Sequence, residues 1–304
     1  MAGMIRGVLP VLHTPLLEDE TIDRDALARE IDWCYEVGAD GVCGAMVSEV
    51  LRLTYEERGE LTRLMAELSK GRGVVVASVG AESTRQALVY ARQAEEVGCD
   101  AVMAIPPVTT AIPEAALWDY FATIARECAL PLIVQDASSY VGNAISIDFY
   151  RRLLDEFGAE KIRFKPEASP IGPNLSALRD ATAGQALIYD GSGGILLVDA
   201  YRRGITGTMP GVDLLDGIVA LWNALRAGDD KATYRISFPI SALVALQLQA
   251  GLDGFLAIEK YLLVKRGIFT SAQRCTPHAW DLDEETQAEV DRLFDLLMQA
   301  LADE

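Results

Sequence analysis

The residues best suited to covalent chemistry lie in one stretch, Ile162-Arg163-Phe164-Lys165-Pro166-Glu167. The triplet Ile-Arg-Phe favours a strand, where side chains alternate between faces. Proline donates no ladder hydrogen bond and so fits a strand's end. Lys165 is therefore expected at the C-terminal end of a strand. Glu167 should share its face, and Phe164 and Pro166 the other. A desolvated lysine loses its proton more readily and attacks carbonyl carbons. One amine among carboxylates is what imine chemistry needs. The amine adds to C2 of a 2-oxo acid, the iminium draws electrons from C3, and a C–C or C–O bond can then break or form. The competing description is a solvated lysine with Glu167 as its surface partner, since lysines are mostly exposed. The elements around the stretch have to decide between the two.

Those elements alternate. Short apolar runs at 7–12, 41–46, 74–79, 101–105, 130–134, 161–165, 186–189 and 207–209 read as strands. Run 74–79 is apolar almost throughout, as befits a strand buried on both faces of a parallel sheet. Helical spacing at Leu27, Ile31, Cys34 and Tyr35 places a helix over 25–37, closed by Gly38. Thr54-Tyr55-Glu56-Glu57 is a capping box opening a helix to about residue 69. Ser83 caps the next helix, Pro113 takes the first helical position of another, and 146–157 and 196–203 complete the set. The junction Glu36-Val37-Gly38-Ala39-Asp40-Gly41-Val42 is echoed by Glu96-Val97-Gly98-Cys99-Asp100-Ala101-Val102, as two βα units apart would give. The pattern predicts a (β/α)8 TIM barrel over 1–228. An open doubly wound sheet is the alternative, weakened by the lack of GxGxxG after a first strand. Helical stretches at 213–227, 231–250, 254–266 and 283–301 supply the eighth barrel helix and a C-terminal helical extension, 229–304, packed on the barrel.

Composition narrows the function. Half of the 304 residues are hydrophobic, enough for a large core, and the formal charge is −18. That average surface repels nucleic acid and anionic membranes, so neither is an expected partner. No run of about 18 apolar residues occurs, and residues 1–10 lack the apolar core of a secretion signal. The five cysteines show no CxxC spacing and read as reduced core thiols of a cytoplasmic protein. With His13 and His278 as the only histidines, a histidine-based metal centre is not expected. A carboxylate-bound one stays open. No cofactor is expected.

In such a barrel the active groups gather at the C-terminal ends of the strands. That face should hold His13 and Thr14, Met46 to Glu49, Ser78, Pro106 to Thr109, Gln135 and Asp136, Lys165 and Glu167, Asp190 to Gly194, and Met209 to Gly211. Lys165 is the only lysine among them. His13 has no GxSxG serine to serve. The glycines from Gly191 to Gly194 form either an anion cradle or a plain βα turn.

The order and spacing of these residues resemble the dihydrodipicolinate synthase/N-acetylneuraminate lyase family of lysine-dependent lyases, from about Gly7 to Met298. Its anchors here are Gly38-Ala39-Asp40-Gly41, Glu49 with Leu53-Thr54 and Glu57-Arg58, Leu130-Pro131-Leu132-Ile133, and Ile162 to Glu167. The resemblance puts the Schiff-base lysine at Lys165 and implies a homo-oligomer, commonly a tetramer. It also exposes departures. The family's Gly-Thr-Thr-Gly-Glu segment, which holds the substrate carboxylate, reads Ala45-Met46-Val47-Ser48-Glu49. The usual tyrosine at the end of strand five is Gln135, the tyrosine pair after strand four is Pro107-Val108, and the synthase's second-substrate arginine aligns with Tyr140. The synthase's Thr-Tyr-Tyr proton relay is thus missing, and neither that synthase activity nor N-acetylneuraminate lyase activity is expected.

Gln135-Asp136-Ala137, Lys165 with Glu167, and Gly207-Thr208-Met209-Pro210 look more like the branch acting on 2-keto-3-deoxy sugar acids, such as the 2-keto-3-deoxyarabonate dehydratases. Dehydration needs a base at C3 and an acid for the leaving hydroxyl. Glu167 and Asp136 suit these by type, and Gln135 can hydrogen-bond a carboxylate or hydroxyl. Satisfying loop backbone is the equal alternative for Gln135 and Asp136. The substrate-binding candidates are Met46, Val47, Ser48, Glu49, Gly191 and Met209. Met46 and Val47 also read as plain packing, and Glu49 as a brace for its loop. The leading expectation is a Schiff-base lyase, a dehydratase or aldolase on a small 2-oxo acid. The other is a non-catalytic barrel binding a small acid as a sensor or scaffold.

Overall fold

The computed structural model describes residues 5–138, 141 and 144–302. Eight parallel strands alternate with helices. The strands are β1 (Gly7–Val8), β2 (Gly41–Cys43), β3 (Val74–Ser78), β4 (Ala101–Ala104), β5 (Leu132–Gln135), β6 (Ile162–Lys165), β7 (Tyr189–Asp190) and β8 (Gly207–Thr208). The intervening helices are α1 (Arg24–Glu36), α2 (Tyr55–Leu68), α3 (Thr84–Val97), α4 (Glu114–Glu127), α5 (Ile147–Phe157), α6 (Ile171–Ala181), α7 (Leu197–Arg202) and α8 (Leu215–Ala227). The ladders run β2-β3-β4-β5-β6 and β1-β8-β7. Single bridges, Val11 to Cys43 and Phe164 to Ile188, join the two sheets into a closed barrel. The fold is therefore the expected (β/α)8 barrel and not an open sheet.

Alternation along each strand sorts the core into two layers. Val75, Val102, Leu132, Val134, Ile162 and Phe164 pack against the surrounding helices. Leu9, Val11, Val76, Met103, Ile133, Tyr189 and Met209 fill the barrel. The same parity carries β6 to its chemistry. With Ile162 and Phe164 in the helix layer, Arg163 and Lys165 point inward. Arg163 plugs the barrel floor, donating to the Ile5 carbonyl at 3.0 Å and to the Tyr189 hydroxyl at 3.1 Å. Two residues on, Lys165 reaches the opposite end. In the β5–β6 register Gln135 is its direct neighbour.

The helices start where capping chemistry predicts. Asp23, Ser83 and Ser146 each accept a hydrogen bond from a first-turn N–H, and Thr54 with Glu57 closes a reciprocal capping box. Three details differ from expectation. Strands are shorter than their apolar runs, because ladder pairing stops before the apolar side chains do. Pro113 is the N-cap of α4, one position before its first turn. Helix α6 carries Gly172 and Pro173 in its first turn, and these breakers hid it from a periodicity reading.

The C-terminal extension comprises α9 (Asp230–Gln247), α10 (Gly251–Lys265) and α11 (Glu284–Ala302). α9 packs on α8, α10 and α11. Residues 230–265 are apolar enough over their length to match a membrane span, but half of the apolar window is buried inside the protein. A 3₁₀ turn, Leu248–Ala250, also interrupts them.

Candidate active site

At the C-terminal ends of the strands lies a cavity open to solvent on one side. It is lined by Val11, Ala45, Met46, Val47, Gln135, Lys165, Glu167, Gly191, Gly193, Met209, Gly211, Phe255 and Glu259. Lys165 is buried and its Nζ lies 3.3 Å from Glu167 Oε1. Gln135 Nε2 donates to both Glu167 oxygens, at 3.1 and 3.0 Å. Burial pushes the Glu167 carboxyl above its ordinary range, against the opposing pull of Lys165. Glu167 is thus biased toward taking up a proton while touching the one cation among the lining residues described. The solvated-lysine description does not hold.

Gly191 is what lets the pair sit this way. A methyl group there would lie 2.2 Å from Glu167 Oε1 and 2.7 Å from Lys165 Cε. The turn after β7 is thus packed directly on the amine–carboxylate pair.

The structure brings Lys165, Gln135, Glu167, Met46, Val47, Gly191 and Met209 together around this cavity. Three other candidates do not line it. Asp136 Oδ1 accepts the backbone N–H groups of Ser138 at 3.2 Å and Glu167 at 2.9 Å, and Oδ2 accepts that of Ala168 at 3.2 Å. It holds the segment after β6 in place and does not line the cavity. Ser48 turns into its loop, donating to the Leu12 carbonyl and accepting from the Ala45 N–H at 3.1 Å. Glu49 faces away, binding Lys260 Nζ with Oε1 and the Cys275 N–H, at 2.7 Å, with Oε2. The aligned position Tyr140 lies outside the described residues.

Sequence reasoning missed the wall contributed by α10. Phe255 and Glu259 enter the cavity from that helix, and Lys260 beside them is wholly buried. Lys165 is therefore not the only lysine at this end of the barrel. Lys260 spends its three donors on the Thr14 carbonyl at 2.8 Å, the Gln273 carbonyl at 2.7 Å and Glu49, so it braces the structure. A signal was present: Glu259-Lys260 is a charged pair inside the apolar run 255–264, and buried charges occur where they are partnered.

Glu259 joins a buried ionic cluster. Its Oε2 lies 2.7 Å from His13 Nε2, and His13 Nδ1 lies 3.2 Å from Glu30 Oε1. Burial alone would lower the His13 pKa. Glu259 and Glu30 outweigh it and raise the group to about 10, so the ring is an imidazolium at neutral pH. Asp213, buried nearby and bonded by Gln247 at 2.7 Å, is pushed up to about 8 by burial and then by the Glu259 charge.

The sequence model of the dihydrodipicolinate synthetase family matches residues 4–293. The chain belongs to this family. Among its relatives is an L-2-keto-3-deoxyarabonate dehydratase of Azospirillum brasilense, 31% identical over 245 residues, covering 77% of this chain and 78% of the relative. A 4-hydroxy-tetrahydrodipicolinate synthase of Maridesulfovibrio salexigens is 27% identical over 243 residues, covering 78% and 81%. The solved 4-hydroxy-tetrahydrodipicolinate synthase of Methylacidiphilum fumariolicum SolV superposes with a TM-score of 0.88 at 24% identity, covering 98% of each chain. That last likeness establishes the barrel. Membership places the chain among lyases, with a dehydratase among its relatives.

Proposed function

We propose that Lys165 forms a Schiff base with a 2-oxo acid, and that the protein is a dehydratase of a 2-keto-3-deoxy sugar acid. The observation that carries this is the buried Lys165 Nζ, 3.3 Å from a carboxylate and lining the cavity at the strand ends. Nζ attacks C2 of the substrate and water leaves, giving an iminium. Glu167, next to Nζ, takes a proton from C3 and forms the enamine. The enamine expels the C4 hydroxyl, which leaves as water once protonated. Hydrolysis of the remaining iminium frees Lys165. From a five-carbon substrate the net loss of one water leaves, after tautomerisation, 2-oxoglutarate semialdehyde. The substrate carboxylate falls to the backbone N–H groups of Met46 and Val47, which open the 3₁₀ turn Met46–Ser48 at the cavity wall. The first N–H groups of a helical turn lack partners within it.

Two features favour this over the synthase reaction. Gln135 stands where the family has tyrosine, and it is engaged with Glu167. Met46 packs in an apolar cluster with Ile105, Ala137 and Val108 where the synthase has hydroxyls. The likeness to the arabonate-type dehydratase adds support. Borohydride reduction in the presence of pyruvate or 2-keto-3-deoxyarabonate, read by mass spectrometry, should add the substrate's mass at Lys165, and Lys165→Ala should abolish it. Release of semialdehyde would support dehydration, and release of pyruvate would replace it with aldol cleavage. Robust turnover of pyruvate with aspartate semialdehyde would overturn the exclusion of the synthase reaction. Binding of 2-oxo acids without trapping or turnover would leave the non-catalytic reading in its place.

A further inference from the structure

We propose that Glu259 is a specificity-determining residue that restricts the cavity to 2-oxo acids with a single carboxylate and a hydroxyl-bearing tail. This rests on the Schiff-base reading of Lys165. The argument begins with a charge count of the wall. Its described lining residues carry one cation, Lys165, and two carboxylates, Glu167 and Glu259. The nearest compensation for Glu259 is His13, and His13 is divided between Glu259 at 2.7 Å and Glu30 at 3.2 Å. Two carboxylates thus share one imidazolium, so His13 is not given over to Glu259 alone.

Geometry leaves one Glu259 oxygen for a ligand. His13 takes Oε2, whereas among the described residues no group donates to Oε1. Oε1 sits over Gly211, where a methyl group would lie 2.4 Å from it and 2.9 Å from Asp213 Oδ1, so the glycine is what lets the two carboxyl groups and the cavity wall meet there. An ionised carboxylate offers only acceptors. Whatever meets Oε1 has to be a donor, and in a sugar-acid tail that is a hydroxyl. A second substrate carboxylate placed at Oε1 would meet like charge at a largely buried side chain, where repulsion is less screened than in bulk water.

The test compares reductive trapping at Lys165 by pyruvate and by 2-oxoglutarate, a five-carbon acid that replaces the sugar acid's hydroxyl end with a carboxylate. The wild-type protein should trap 2-oxoglutarate at least about tenfold more slowly than pyruvate. Glu259→Gln retains the shape and an acceptor for His13 but drops the charge. Read as the ratio of the two trapping rates within the variant, so that any general change cancels, the discrimination should narrow about tenfold. The variant's KM for 2-keto-3-deoxyarabonate should rise with a smaller change in kcat. Equal trapping of the two acids by the wild type would overturn the inference whatever the variant does. So would discrimination that survives Glu259→Gln. Failure of the wild type to trap pyruvate at all would instead sink the Schiff-base reading, and this inference with it.

Discussion

Gly191→Ala puts one methyl group against the reacting pair without touching it chemically. Gly191 is not among the glycines with positive φ, so its backbone admits alanine and the barrel should still fold. The new carbon, however, would stand 2.2 Å from Glu167 Oε1 and 2.7 Å from Lys165 Cε. Non-bonded contacts settle well above 3 Å, so the carboxylate or the amine has to retreat by ~1 Å. Gln135, paired in register with Lys165 and bonded to Glu167, leaves the carboxylate little room to go without breaking a hydrogen bond. A misplacement of that size costs on the order of 100-fold in rate, or ~2.7 kcal/mol of transition-state stabilisation. The matched control is Gly44→Ala at the end of β2, where the nearest atom to the added methyl, Met65 Sδ, is 3.5 Å away. The assay is the rate of pyruvate-dependent borohydride trapping at Lys165, with kcat/KM for the sugar acid once turnover is in hand. Gly191→Ala should fall about 100-fold with a melting temperature near that of the wild type, and Gly44→Ala should match the wild type. Activity of Gly191→Ala within threefold of the wild type would refute the claim that this turn sets the geometry of the pair.

Three more outcomes follow from the same geometry. Glu167→Gln should still form the imine, trapped by borohydride, while dehydration drops by 10²–10⁴, the range for losing a general base; equal loss of both would place Glu167 in imine formation alone. Asp136→Ala strands the buried N–H groups of Glu167 and Ala168, and should lower stability by about 1–3 kcal/mol, read by urea unfolding. The buried His13 cluster fixes the sign of a pH effect. His13 rises from 6.5 to about 10 on folding, so its stabilisation is complete below pH 6.5 and is lost as pH climbs toward 10. Asp213, raised from 3.8 to about 8, and Glu30, raised by burial, act in the same direction, because folding favours their protonated forms. The melting temperature should therefore fall between pH 6.5 and 10, less steeply in Glu259→Gln, and a flat profile would contradict the assignment.

How far the sequence speaks for itself varies from residue to residue. The barrel is legible because parallel strands buried on both faces leave continuous apolar runs, and because Thr54-x-x-Glu57 and Ser83 cap helices by local chemistry. Lys165 is legible for a similar reason: strand parity and a following proline fix both its face and its level. Helix α6 is not, since Gly172 and Pro173 look like loop punctuation, and only packing against its neighbours makes a first turn of them. Asp136 and Glu49 have the right functional groups for acid–base work, but composition cannot say which way a carboxylate turns. Backbone N–H groups claim the first, and Lys260 with Cys275 the second. Glu259 is the hardest case. It comes from a helix distant in sequence from the lysine it faces, and no local pattern encodes a contact made by tertiary packing.

That distance bears on how the protein comes into being and how it fails. A nascent chain released as far as β8 would already hold Lys165, yet Phe255 and Glu259, which line the same cavity, would not have emerged. The wall that α10 gives the cavity is thus a contact between segments far apart in the chain, which costs loop-closure entropy to form. By the same logic, a substitution that loosens the packing of α10 on α9 would disturb the cavity wall while leaving the strands beneath intact.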